Sequence, residues 1–168
     1  MLAPMNFKKW IDDNRAFLKP PVGNRCVYED SEFIIMVVGG PNKRKDFHVN
    51  QSEEFFYQLE GDMILKVREG AEINDLIIRE GDIFLLPPRV PHSPQRSENT
   101  VGLVVERKRR SGEEDGFIWY CDQCGAKVYD HFFFLTDIVK QLPPIFETFY
   151  SKDENCICKK CGHKNTKD

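Results

Sequence analysis

Residues 48–70 read HVNQSEEFFYQLEGDMILKVREG. Two β-type runs sit in this stretch: EFFYQL (54–59), ended by Glu60-Gly61-Asp62, and MILKV (63–67), ended by Glu69-Gly70. Aromatic and branched residues favour strands, while the Gly-containing breaks favour tight turns. The pattern continues outward on both sides. Upstream, FIIMVV (33–38) ends in Gly39-Gly40. Downstream, DLIIR (75–79) runs into Glu80-Gly81-Asp82, IFLL (83–86) into Pro87-Pro88, and VGLVVER (101–107) closes the series. Many short strands at this spacing predict a mainly β fold, a sandwich or small barrel.

The flanks differ in character. Asn6 to Leu18 places Phe7, Trp10, Ile11, Phe17 and Leu18 near one helical face, with Asn6 as N-cap and Lys19-Pro20-Pro21 as the stop. After Gly116 the chain becomes a cysteine-bearing tail with one short helical stretch near Thr136–Leu142. The expected organisation is therefore residues 1–115 for the helix and β region, and 116–168 for a tail packed into the same domain.

Bulk properties narrow the function. A chain of 168 residues suits one domain with a real core. The formal net charge of −3 argues against a nucleic-acid partner, which selects a basic face. No apolar run is long enough to span a bilayer, and MLAPMNFKKW lacks the layout of a signal peptide, so a cytoplasmic location is expected. In a reducing compartment the six cysteines point to metal rather than disulfides. Cys121-Asp-Gln-Cys124-Gly125 and Cys158-Lys-Lys-Cys161-Gly162 are two knuckles of the kind that together make one tetrahedral four-thiolate site. Redox Cys-x-x-Cys pairs are the competing reading. Cys156 also makes a Cys-x-Cys with Cys158, so an exchange of ligands stays open, although the glycine after Cys161 favours the 158/161 pair. Cys26 is left over, and His131 and His163 read as surface or packing residues.

A second candidate metal site lies in the β region. His48, Asn50, Glu54 and Gly61 form one group; Gly81, Pro87, Arg89 and His92 form another. Spacing alone does not raise a surface histidine beside an acidic pair above a solvated loop. Together, however, the groups resemble the two motifs of the cupin family, which implies a jelly-roll barrel and a metal. Asn50 stands where that pattern has a second histidine and Arg89 where it has glycine. The remaining set, His48, Glu54 and His92, is two histidines and one carboxylate. Such a set leaves open positions on ferrous iron for substrate and dioxygen.

The likeness tightens in PPVGNR (20–25), VVGGPN (37–42), EEFFYQL (53–59), EGDIFLLPP (80–88), HSPQR (92–96) and WYCDQCG (119–125), which resemble bacterial 3-hydroxyanthranilate 3,4-dioxygenases. That resemblance implies extradiol-type opening of the aromatic ring of 3-hydroxyanthranilate with dioxygen. The product would be 2-amino-3-carboxymuconate semialdehyde, which closes unaided to quinolinate, a precursor of the nicotinamide ring. It further implies that Arg44 and Arg96 hold the substrate carboxylate, a role suited to the guanidinium fork. Glu106 would meet the amino or hydroxyl group as a general base, Glu54 would lie against substrate as well as metal, and Asn24 would stand beside dioxygen. It also implies a rubredoxin-like tail site holding iron or zinc at Cys121, Cys124, Cys158 and Cys161, and a homodimer. Two other functions stay open on the residues alone. One is a non-catalytic cupin that binds a small aromatic acid; the other is a cupin metal-dependent isomerase.

Overall fold

In a computed structural model, residues 3–20, 23–136 and 138–167 are described; Pro21, named above in the helix stop, lies outside them. Helix α1 (Phe7–Asn14) begins at Asn6, whose side-chain oxygen accepts from the Lys9 amide at 2.9 Å, the expected cap. The predicted single helix to Leu18 is divided, because its last turn, Arg15–Leu18, tightens to a 3₁₀ helix.

Eleven strands follow: β1 (Asn24–Cys26), β2 (Phe33–Gly39), β3 (Asp46–Val49), β4 (Glu54–Glu60), β5 (Met63–Glu69), β6 (Glu72–Ile78), β7 (Ile83–Leu86), β8 (His92–Arg96), β9 (Val101–Arg107), β10 (Asp115–Tyr120) and β11 (Lys127–Phe133). They form two antiparallel sheets, in the orders β1-β2-β9-β4-β7 and β11-β10-β3-β8-β5-β6. Met36, Phe56, Met63, Leu65, Val67, Ile78, Leu86 and Val104 fill the space between them. Strand alternation explains the choice: in β4, Glu54, Phe56 and Gln58 point inward while Phe55 and Tyr57 point out. Outside the five-stranded sheet, Ile11 and Leu18 pack on Val37 and Val101, so α1 covers part of that face.

The strand series does not close at Arg107 as its apolar pattern suggests. Strand β10 pairs with β3 on one side and β11 on the other, so the start of the expected tail is sheet. The second helix is also longer than Thr136–Leu142. Helix α2 runs Ile138–Ser151 through Pro143 and Pro144, and Asp137 lies outside the described residues. Each interior proline costs roughly 3 kcal/mol. Against this, Ile145 and Phe149 are buried on Phe117 and Trp119, with Trp119 and Phe149 stacked at 4.5 Å. Burial of such side chains returns about 1.5–3 kcal/mol each, before the aromatic contact is counted. A short third helix, α3 (Asp153–Cys156), leads to the second cysteine knuckle.

Candidate metal centres

The register of the sheets assembles the first site. His48 on β3 lies directly opposite His92 on β8, and Glu54 opens β4 in the facing sheet, across from Glu106 on β9. All three are buried. Glu54 Oε2 is 3.1 Å from His92 Nε2 and 4.0 Å from His48 Nδ1, and one donor atom from each lies within 4.8 Å of the others. Ligands about 2.1 Å from an octahedral ion would be roughly 3 Å apart when adjacent and about 4 Å when opposed. The donor set and its spacing therefore fit a divalent ion. Burial pushes Glu54 toward the neutral form, but His92, His48 and Arg109 together hold its carboxyl below the ordinary range. Burial likewise opposes charge on His92, and Glu54 outweighs it and raises the imidazole.

The two departures from the cupin pattern have physical consequences. Asn50 Nδ2 donates to Glu54 Oε2 at 3.2 Å and to Glu106 Oε2 at 3.0 Å, bridging the two carboxylates that a histidine would otherwise approach. Arg89 takes φ 65°, a left-handed conformation in which glycine carries no steric cost. Its side chain donates to Gln51 Oε1 at 3.0 Å.

Around this centre the predicted polar residues fall in different settings. Glu106 is buried, and burial together with the Glu54 charge raises its carboxyl above the usual range, in spite of Arg109. Arg96 is 3 % exposed and has no carboxylate ion pair among the described residues. Its Nη1 donates to Gln58 Oε1 at 3.0 Å, its Nε has no partner, and burial pulls it down to about 10. Arg44, by contrast, is already paired with Asp46 through Nε at 3.2 Å and through Nη2. Burial opposes its charge and Asp46 more than restores it. Its Cζ lies 5.7 Å from the Phe117 ring, which itself stacks on His48. Asn24 lines a cavity with Arg44, Val38 and Asn42 that is closed by Leu142 and Phe146 of α2.

Sequence reasoning missed Gln58, Asp46, Arg109 and Asp115. Asp115 is fully buried at the head of β10, 2.6 Å from His48 Nε2, and pairs with Arg109, which also reaches Glu106 Oε2 at 2.9 Å. Only the alternation of Asp115 with Phe117 and Trp119 hinted at its burial, and that required knowing where β10 starts.

The second site draws the four predicted cysteines together. Cys121 and Cys161 are 3.6 Å apart at Sγ, as are Cys124 and Cys158, and all four lie within 4.8 Å. A tetrahedral ion with 2.3 Å bonds would set sulfurs about 3.8 Å apart. Backbone amides of Cys161 and Lys160 lower the Cys158 thiol to about 7, toward the thiolate that metal binding needs. Cys156 lies outside this group, donating to the Phe149 carbonyl at 3.1 Å, and Cys26 is exposed.

Two packed antiparallel sheets enclosing a two-histidine, one-carboxylate centre define a cupin-type metalloprotein. A cupin-2 domain protein from Shewanella frigidimarina has the same fold, with a TM-score of 0.50 at 17 % identity over 62 % of this chain and 94 % of that one. The model of the family described as 3-hydroxyanthranilic acid dioxygenase matches residues 1–150, and the chain belongs to that family. A 3-hydroxyanthranilate 3,4-dioxygenase from Jannaschia sp. is 55 % identical over 162 residues, 96 % of this chain and 90 % of that protein. Those from Ruegeria pomeroyi and Xanthomonas euvesicatoria are 52 % and 50 % identical, over 96 % and 97 % of this chain and 90 % and 92 % of theirs.

Proposed function

We propose that this chain is a ferrous dioxygenase that opens the ring of 3-hydroxyanthranilate, with dioxygen as co-substrate and 2-amino-3-carboxymuconate semialdehyde as product. The observation that carries the reading is a buried His48, Glu54 and His92 cluster with Arg96, a buried guanidinium without an ion-paired carboxylate among the described residues, within electrostatic reach of Glu54. Iron(II) held by these three residues would supply the redox chemistry and the open positions that substrate and dioxygen require. Arg96 binds the substrate carboxylate and so fixes the ring; Arg44 adds to this by sharing its fork between Asp46 and the substrate. Glu106, whose carboxyl burial and the Glu54 charge raise, would take the proton of the substrate hydroxyl. Asn50 keeps Glu106 and Glu54 apart yet adjacent. Glu54 also borders the substrate, and Asn24 faces the position of dioxygen. The product closes to quinolinate without further catalysis.

The four-cysteine site holds iron or zinc structurally. The protein works in the cytoplasm as a homodimer. For the dimer, the support is the outer face of the five-stranded sheet, where Phe33, Ile83 and Leu85 are each more than half exposed. Among the described residues no helix is long and apolar enough to cross a membrane. Light scattering should return twice the chain mass.

The deciding experiment is oxygen uptake by metal-depleted protein given 3-hydroxyanthranilate. Iron(II) should restore uptake and zinc should not. Equal turnover with zinc in iron-free buffer would remove the redox mechanism. Tight binding of the acid by the iron-loaded protein without uptake would leave a binding module.

A further inference from the structure

The two histidines of the proposed iron site are held by their outer nitrogens in different ways. His92 Nδ1 lies 3.0 Å from the Val90 carbonyl, which can only accept, so the ring proton sits on Nδ1 and Nε2 faces Glu54. For His48 it is Nε2 that turns outward, to Asp115 Oδ2 at 2.6 Å, and Nδ1 that faces Glu54. The register produces this arrangement. Phe117 stands opposite His48, and Asp115, two residues before it, shares its face and reaches the ring diagonally. Asp115 is fully buried and is gripped by the Arg109 fork, Nε to Oδ1 at 2.5 Å and Nη2 to Oδ2. A carboxylate paired with guanidinium only accepts, so the proton between Asp115 and His48 belongs to His48 Nε2. The Nη2 that grips Asp115 also contacts Glu106 Oε2 at 2.9 Å. From there the chain of contacts returns through Asn50 to Glu54.

We infer that Asp115 is the positioning residue for His48, with Arg109 as the pivot that ties it to Glu106, and that the two histidines meet the metal through different nitrogens, His48 by Nδ1 and His92 by Nε2. This rests on the reading of His48, Glu54 and His92 as the metal site and goes beyond it. A solely structural ion pair between Arg109 and Asp115 would stabilise the fold without choosing a tautomer. A positioning residue must do both, because the orientation and basicity of a ligating imidazole are set by the acceptor behind it.

Nitrogen-15 NMR of histidine-labelled protein separates these roles without any mutation at Asp115. Zinc is loaded into the His48, Glu54 and His92 site as a diamagnetic stand-in, the tail metal is kept in place, and His48→Asn and His92→Asn variants assign the signals. The expected result is one ligating histidine protonated on Nε2, assigned to His48, and one protonated on Nδ1, assigned to His92. A proton on Nδ1 of both overturns the inference. If zinc moves neither ring, it is the metal-site reading that fails, which is a different outcome. The second measurement is iron(II) affinity by chelator competition in Asp115→Asn. A weakening of about 10–100-fold is expected, the usual scale for loss of such a support. The circular dichroism and tail-metal content should match the parent. Affinity within threefold of the parent, in a variant folded by those two criteria, overturns the proposal. Should that variant not fold, the tautomer of the parent still decides.

Discussion

On the proposed reading, substrate identity turns on Arg96, a buried guanidinium with an unpartnered Nε. Its side chain lies so close to Gly102 that a Cβ there would sit 2.7 Å from Nη1, and Gln58 takes one of its donors, leaving Nε for a ligand. Truncating one partner of a buried charge pair costs roughly 2–5 kcal/mol. Arg96→Ala should therefore lower kcat/KM for 3-hydroxyanthranilate by at least about tenfold, part of it in kcat because a loosely held ring is misplaced. 2-Aminophenol keeps the chelating pair and lacks the carboxylate, so it should be a poor substrate of the parent and lose much less on the mutation. Steady-state kinetics on both proteins with both compounds tests this; equal losses would show that Arg96 does not read the carboxylate. The same residue predicts a pH limb. Burial lowers its guanidinium to about 10, so the charge proposed to bind the acid is present below that pH and fades as pH rises through it. Anaerobic titration should show substrate affinity falling in the parent near pH 10. Arg96→Ala should lack that limb.

At the scale of elements, the site depends on strands whose own sequences do not announce them. Strand β3 is DFHV and β8 is HSPQR with a proline inside, each too short or too polar to stand out by alternation. They nevertheless carry His48 and His92. The more apolar strands β2, β4, β5, β7 and β9 were legible from composition and turn spacing, and they form the walls. The cluster of His48, Glu54 and His92 was legible only through resemblance to known motifs. Asp115 and Arg109 were not, because KRRSGEED (108–115) has the composition of a solvated loop and only pairing with β3 turns Asp115 inward. Helix α2 was underestimated for a related reason. The expected stretch ended at Leu142, just before Pro143 and Pro144, whereas burial against β10 carries the helix through them. That packing is testable: Phe149 is fully buried against Trp119 and Tyr150. Phe149→Ala should cost about 3–5 kcal/mol of stability in urea unfolding. A loss below about 1 kcal/mol would mean that α2 does not anchor the end of the sheet.

For the whole molecule the question is how two candidate metal sites share one small protein. The four-cysteine site begins where β10 ends, at Cys121, and is fastened to the barrel by side chains from the other sheet strands. Arg68 on β5 lies 3.7 Å over the Tyr120 ring and donates to the Gly125 carbonyl at 3.0 Å. Lys45, just before β3, bridges to Asp122 at 3.1 Å. Thiolate sites of this kind contribute directly to folding, since the unfolded chain has no preformed cage. The tail metal is thus expected to hold the far end of β10, and through it the strand that carries Asp115, while standing apart from the chemistry. Two variants separate the roles. His92→Ala should abolish oxygen uptake and lose the catalytic ion, yet keep the fold and one tail metal per chain. Cys121→Ser combined with Cys124→Ser should lose the tail metal and lower Tm, with turnover surviving in the fraction that is folded and iron-loaded. Metal analysis, thermal unfolding and oxygen-electrode rates on the same samples give all three quantities. If the cysteine variant is well folded and fully loaded with iron but does not turn over, the tail site acts in the reaction itself and the division between a reactive and a structural metal is wrong.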